Sequence, residues 1–359
     1  MSRKTLTRIL LAAAGAALAA GPALAQGSVQ LTGSGSTFAY PLYSKWGLEY
    51  HQLHSAVEVN YQANGSGAGI QQFTSHITDF GATDGPMTDA QIAAANGNVL
   101  HLPTALGAVM PTYNIPGVTA QLKFTGEVLA GIYLGQITKW NDSRITALNP
   151  GVTLPDRDIV VAHRSDGSGT TYIWSDYLSK MSPEWAQRVG KGTSINWPVG
   201  LGGPGNPGVA NIVKQTPGAI GYVELIYALQ NHISYGLVKN SSGRYINASL
   251  ATTTNAAAGA VAHLAANTDF RISITDPAGA DAYPIASFTW ILVPKEMTDA
   301  TKAEALVHYL WWALHDGQKD CNDLAYAPLP RRVVQLEEAR LQSITVNGKP
   351  VLPAGYRGR

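Results

Sequence analysis

The sequence holds a single cysteine, Cys321, in 359 residues, so no intramolecular disulfide can form and stability must come from packing. Charge is also scarce. Asp, Glu, Lys and Arg make up 14% of the chain, 25 basic residues against 24 acidic, and no run of one sign points to nucleic acid or a membrane surface. Metal-site spacings are missing as well: neither H-E-x-x-H nor a cysteine pair accompanies His51 and His54, which read as a partly exposed helix face. The G-x-S-x-G of serine hydrolases is absent. Beyond the first 25 residues no segment approaches the ~20 consecutive apolar residues of a spanning helix. No period of roughly 20 to 50 residues marks a repeat array.

What is present begins with Arg3, Lys4 and Arg8, an apolar run from Ile9 to Leu18 and the small-residue motif Ala23-Leu24-Ala25. That order is an export signal, cleaved after Ala25. Without it the chain has 334 residues, 22 basic and 24 acidic, for a net charge of −2. No cysteine stands at the new N-terminus to carry a lipid, and a cysteine-poor exported chain suits a bacterial periplasm. The length allows two domains of ~150 residues each.

Apolar runs of strand character alternate with stretches of helical period, which argues for α/β layers over all-α or all-β architecture. Phe38, Leu42, Trp46 and Tyr50 recur every four residues after Gly-Ser-Gly-Ser-Thr, with Pro41 tolerable in a first turn. Ile70, Phe73, Ile77 and Phe80 fall on one helical face after NGSGAG, as Ile173, Tyr177 and Met181 do after DGSGTT. Three glycine and serine loops thus open three predicted helices. The first N–H groups of a helix lack partners and its dipole is positive there, so a glycine-rich approach makes an anion site; the plainer reading is ordinary N-caps at Ser36, Thr37, Ser66 and Ser168. Arg164 and Asp166 beside the third loop favour an anion cleft. Gly200 to Gly205 fits G-x-G-x-x-G with Glu224 beyond it, but Pro204 and Pro207 make a surface loop the better expectation. Ala251 to Asn267 is either helix or spacer. Trp140, Trp174, Trp185, Trp197 and Trp290 are expected in the core or a cleft wall.

Seven motifs in order, GSGSTFAYPLYSKW, VNYQANGSGAGIQQF, DFGATDGPMTD, GIYLGQITKWND, NPGVTLPDRDIVVAHRSDGSGTTYIWSDYL, WPVGLGGPGNPGVA and GAIGYVELIYA, resemble the periplasmic phosphate-binding proteins of ABC-type phosphate uptake. The resemblance implies a two-lobed periplasmic binding protein fold of type II, each lobe a sheet flanked by helices, joined by two hinge crossovers and closing like a flytrap. It places residues 26–102 and 283–359 in a discontinuous first lobe and 103–282 in the second. It further implies that Thr37 and Phe38 donate hydroxyl and backbone N–H to phosphate, Ser66 donates from a second helix start, and Asp84 accepts. Arg164 is the one cation and Asp166 its partner, while Ser168, Gly169 and Thr170 supply hydroxyls and N–H groups. His163 and Ser165 stand where the family has Arg and Ala.

The implied function is high-affinity phosphate capture in the periplasm by a monomer that delivers to a membrane permease, without catalysis, metal or cofactor. Three other readings stand beside it. They are a receptor for another oxyanion such as sulfate, a serine hydrolase or phosphatase acting through Ser66 or Ser168, and an adhesive surface protein.

Overall fold

The computed structural model describes residues 28–358, so the expected signal and its cleavage point lie outside the described residues. The main sheet has nine strands. Its order is Val57–Gln62, Val29–Gly35, Phe80–Thr83, Ala286–Val293, Leu100–Tyr113, Ala219–Glu224, Val160–Arg164 and Leu201–Gly203, with Ser234–Tyr235 also pairing the long strand Leu100–Tyr113. The first three run parallel to one another, as do Ala219–Glu224, Val160–Arg164 and Leu201–Gly203. Between these two parallel groups lie the antiparallel strands Ala286–Val293 and Leu100–Tyr113. Parallel strands need crossovers. Helices Tyr40–Leu53 and Ser66–Thr74 supply them on one side, and Gly169–Met181 and Gly205–Gln215 on the other. The α/β expectation holds, with two lobes about a shared centre.

The long strand explains how the lobes join. All 14 of its residues are buried; Leu100 to Ala108 pair with Ala286–Val293, and Val109 to Tyr113 pair with Ala219–Glu224. A strand buried on both faces is expected to be a near-continuous apolar run, and LHLPTALGAVMPTY is close to one. Pro103 cannot donate to the ladder, and it falls where the register shifts opposite Thr289 and Trp290, at a bulge that needs no such bond. The chain returns between lobes just before Ala286, where Val109 N donates to Ile285 O at 2.9 Å and Tyr283 Oη to Val109 O at 2.9 Å. The C-terminal segment then packs on the first lobe. Trp46 Nε1 donates to Gly317 O at 2.7 Å, and Tyr50 meets Tyr309 edge-on at 5.2 Å.

Several local expectations are corrected. Phe38 is fully buried but precedes its helix, which starts at Tyr40 with Pro41 in the first turn. The second helix stops at Thr74, because His76 takes a left-handed φ of 55°; Ile77 is therefore exposed, and Phe80 begins a strand. The third helix runs as expected through Ile173 and Tyr177 to Met181. Leu250–Ala262 is helical, capped by Ser249, so most of the Ala-rich stretch is helix. Trp140, Trp174, Trp185 and Trp290 are fully buried and Trp197 partly so. His51 is half-buried on its helix, and His54 is exposed at its end.

Candidate anion-binding cleft

Every candidate residue lies just past the C-terminal end of a parallel strand or at the first turn of the helix that follows, the crevice where open α/β sheets hold ligands. Thr37 and Phe38 follow the strand Val29–Gly35, and Asp84 follows Phe80–Thr83. Arg164 ends its own strand, and Ser168 caps the next helix by accepting from Thr171 N at 3.0 Å. The loop 200–205 is exposed at Gly200, Leu201, Gly202 and Pro204 as expected of a surface loop, but it includes a short strand and a helix start, and Gly203 and Gly205 are buried. Its Gly205 N reaches Asp166 Oδ1 at 3.0 Å, because Leu201–Gly203 pairs parallel with the strand carrying Arg164 and aims the loop into the cleft.

Arg164 is only 3% exposed, and Asp166 holds it in a two-point grip: Nε donates to Oδ1 at 2.7 Å and Nη2 to Oδ2 at 2.5 Å. Nη1 is turned to Thr170 Oγ1 at 3.2 Å. Burial acts upward on the Asp166 carboxyl, but the guanidinium and the Gly205 N–H outweigh it and hold the group below its usual range. Behind the pair, Tyr222 Oη accepts from Arg164 N at 3.1 Å and bonds Thr171 Oγ1 at 2.6 Å. His163 stacks on Trp197 at 4.8 Å and pairs its Nδ1 with Arg164 O at 2.9 Å; burial lowers its pKa.

Asp84, 1% exposed, has no such cation in contact. Its Oδ1 accepts from Ser36 Oγ at 2.5 Å and Thr289 Oγ1 at 2.7 Å, and its Oδ2 from Ser66 Oγ at 3.3 Å. Burial raises its pKa to about 6, against the opposing pull of these donors and of the more distant Arg164. Asp84 caps no helix; Thr88 does that for Asp89–Ala94.

The lobes meet across this site at bare backbone. Gly67 N donates to Gly167 O at 2.8 Å, and a Cβ on Gly169 would stand 2.5 Å from Asp84 N. Only glycine at 169 lets the Ser168 helix start approach the Asp84 strand end. From the first lobe, Thr37 Oγ1 accepts from Asn206 N at 3.1 Å and Asn206 Nδ2 at 3.0 Å, and Thr37 O accepts from Tyr227 Oη at 2.5 Å. Phe38 O accepts from Tyr326 Oη at 2.5 Å. Beside Thr37, Asp166 and Gly205 a cavity of about 470 Å³ is walled by Tyr40, Tyr61 and Tyr227.

The structure thus gathers Thr37, Phe38, Ser66, Asp84, Arg164, Asp166, Ser168, Gly169 and Thr170 around one cleft. Sequence reasoning missed Asn206, Thr289, Tyr222 and Tyr227, and gave Ser36 only a capping role. The one local sign of Asn206 is a polar residue inside the Gly- and Pro-rich GGPGNPG.

Two α/β lobes sharing a pair of antiparallel central strands, with a donor-lined cleft at the strand ends, define the class of two-lobed solute-binding proteins. Accordingly, the PBP superfamily domain matches residues 20–314. Within that class the chain belongs to the PstS phosphate-binding protein family. It is 44% identical over 313 residues to the phosphate-binding protein PstS of Xylella fastidiosa strain Temecula1, covering 87% of this chain and 85% of that protein. Identity to PstS of Pasteurella multocida is 42% over 311 residues, 86% and 89% of the two chains. Among solved structures, the high affinity periplasmic phosphate-binding protein PfluDING bound with phosphate superposes with a TM-score of 0.69 at 18% identity, covering 87% of this chain and 93% of the other. A putative phosphate ABC transporter substrate-binding protein from Clostridium perfringens gives 0.62 at 16% identity, with 84% and 100% covered.

Proposed function

We propose that the protein captures inorganic phosphate in the periplasm and delivers it to the membrane permease of an ABC importer. The observation that carries this reading is Asp84, the cleft carboxylate that has no cation in contact, since Asp166 is paired with Arg164. Phosphate near neutral pH keeps at least one proton and can donate it to Asp84, whereas sulfate has none and would face that carboxylate oxygen to oxygen. The remaining phosphate oxygens are met by the hydroxyls of Thr37, Ser168 and Thr170, by the N–H groups of Phe38, Gly169 and the helix start at Ser66, and by Arg164. Asp166 offsets most of the guanidinium charge, so the anion is held by directed dipoles more than by net charge.

The lobes divide at residues 26–102 with 283–359 and at 103–282, and the two antiparallel central strands serve as the hinge. The export signal is cleaved after Ala25, and the mature protein acts as a monomer with no catalytic role. A serine hydrolase reading is disfavoured because Ser66 Oγ donates to Asp84 and no histidine hydrogen-bonds either Ser66 Oγ or Ser168 Oγ among the described residues. No helix among the described residues is long and apolar enough to cross a membrane.

Titrating the mature protein with phosphate while following tryptophan fluorescence tests the reading. A saturable change that excess sulfate does not reverse is expected. Equal competition by sulfate would overturn the ligand assignment, and hydrolysis of a chromogenic phosphate ester would revive the enzyme. Intact mass should begin at Gln26 without lipid.

A further inference from the structure

We propose that Asn206 is a positioning residue of the cleft, one that turns the hydroxyls of Thr37 and Thr170 into obligate donors toward the bound anion. This rests on the phosphate reading above and deepens it.

Asn206 is fully buried, and its amide cannot flip. Its Oδ1 accepts from Glu224 N at 2.9 Å, and a backbone N–H can only donate, so Nδ2 is the end that faces the cleft. From there Nδ2 donates to Thr37 Oγ1 at 3.0 Å and to Thr170 Oγ1 at 3.1 Å. Each hydroxyl receives a second N–H as well: Asn206 N at 3.1 Å for Thr37, and Arg164 Nη1 at 3.2 Å for Thr170.

A hydroxyl has two acceptor positions and one proton. Both acceptor positions of both threonines are therefore filled by groups that can only donate, and what each hydroxyl has left to offer is its proton. An incoming oxygen must accept there. A protonated oxygen would bring a second proton to a position that already supplies one. The ligand's own proton is thus steered away from Thr37 and Thr170 and toward Asp84, which fixes the orientation of a protonated tetrahedral anion as well as its charge. Because the donors are set before the ligand arrives, no reorientation is needed on binding.

A simpler role for Asn206 is to tie the lobes together through Thr37. That role acts across the cleft and leaves Thr170, which lies on the same lobe as Asn206, out of account. The two roles separate in a double-mutant cycle on Asn206→Ala and Thr170→Val, read by calorimetry with inorganic phosphate on the full mature protein. Each single change is expected to weaken binding ~10- to 100-fold, and the double variant should lie within about threefold of the weaker single, since both remove the same directed donor. Losses that multiply overturn the proposal and leave the tie. Asn206→Asp keeps the acceptor for Glu224 N but puts an oxygen where Nδ2 stood, so the threonine protons turn to it. Phosphate affinity should then fall further than in Asn206→Ala, with a cooperative thermal unfolding transition at pH 7 showing that the variant is folded. Parent-like affinity in Asn206→Asp also overturns the proposal. Failure of the unsubstituted protein to bind phosphate overturns the phosphate reading and this inference together.

Discussion

Asp84 and Asp166 are carboxylates of one cleft, each beside the end of a parallel strand, and their surroundings push them in opposite directions. Asp166 faces a guanidinium in two-point contact and is held below its usual range. Asp84 faces three hydroxyls, and burial lifts it to about 6. Asp84 is the more deeply buried and so carries the larger desolvation penalty, while Asp166 is less buried and has the guanidinium in contact; burial and partner act together to separate them. The second lobe contributes a charge already neutralised, while the first contributes an acceptor kept without a cation in contact. An anion that carries a proton fits both halves at once.

The largest expected effect comes from removing the cation. Arg164→Ala strips Asp166 of its partner as well as the ligand, and phosphate binding should weaken by ~2 to 5 kcal/mol in calorimetry. Near-parent affinity would reduce the pair to an ion pair of little consequence and break the comparison.

Asp84→Asn acts on the other side. Phosphate affinity should fall modestly, whereas the phosphate-to-sulfate ratio in competition binding should fall by ~100-fold or more, because the amide still accepts a proton but no longer repels a bare oxygen. The same variant has a stability signature. Folding raises Asp84 from 3.8 to about 6, so the native state holds this proton more tightly than the unfolded chain. The resulting stability is full below the unfolded value and is lost as pH rises through about 6, up to about 3 kcal/mol at ~1.4 kcal/mol per unit. Thermal unfolding without phosphate at pH 4 to 7 should show that loss in the parent and a flatter profile in Asp84→Asn.

Asp166 should give the opposite slope. Its pKa is lowered by folding, so its contribution is present above the ordinary carboxylate value and disappears as the protein is acidified below it. Asp166→Asn should weaken phosphate binding by about 1 to 2 kcal/mol, less than Arg164→Ala because the cation remains, and should blunt the acid-side loss of stability. Identical pH profiles for the two aspartate variants would remove the distinction between them. The smallest effect belongs to the flanking positions. Ser165→Ala should change phosphate affinity by less than about 0.5 kcal/mol, as measured by the same titration.

The α/β class was legible because strand-like runs and glycine-led helices alternate along the chain, whereas the two-lobed arrangement came from the family resemblance carried by the seven motifs. The nine candidate site residues were named from the family resemblance, with the glycine and serine loops and the Arg164–Asp166 pair as the local signs beside it. What escaped was set by distance along the chain. Thr289 lies 205 residues from Asp84 yet donates to it, and nothing in its local sequence, ASFTWILV, marks it apart from a buried strand. Asn206 escaped for another reason. Glycine and proline punctuation read as a surface loop, which its first residues are, and only the pairing of Leu201–Gly203 with the Arg164 strand brings its end at Gly205 and Asn206 into the cleft. Helix ends were misjudged where one residue decides them, as His76 does by stopping a periodicity that continues to Phe80.

The central pair of strands also governs the order in which the molecule can be assembled. Ala286–Val293 lies between Phe80–Thr83 and Leu100–Tyr113, so the first lobe's sheet has a gap at its middle until a segment nearly 200 residues downstream arrives. A chain delivered N-terminus first cannot close that sheet early, however well its local helices form, because the closing contacts are among the most distant in sequence. The second lobe's parallel strands, contained within Val160 to Glu224, face no such wait and can pair among themselves first. Such an order keeps the leading half of the polypeptide open, and therefore threadable, until most of it has emerged.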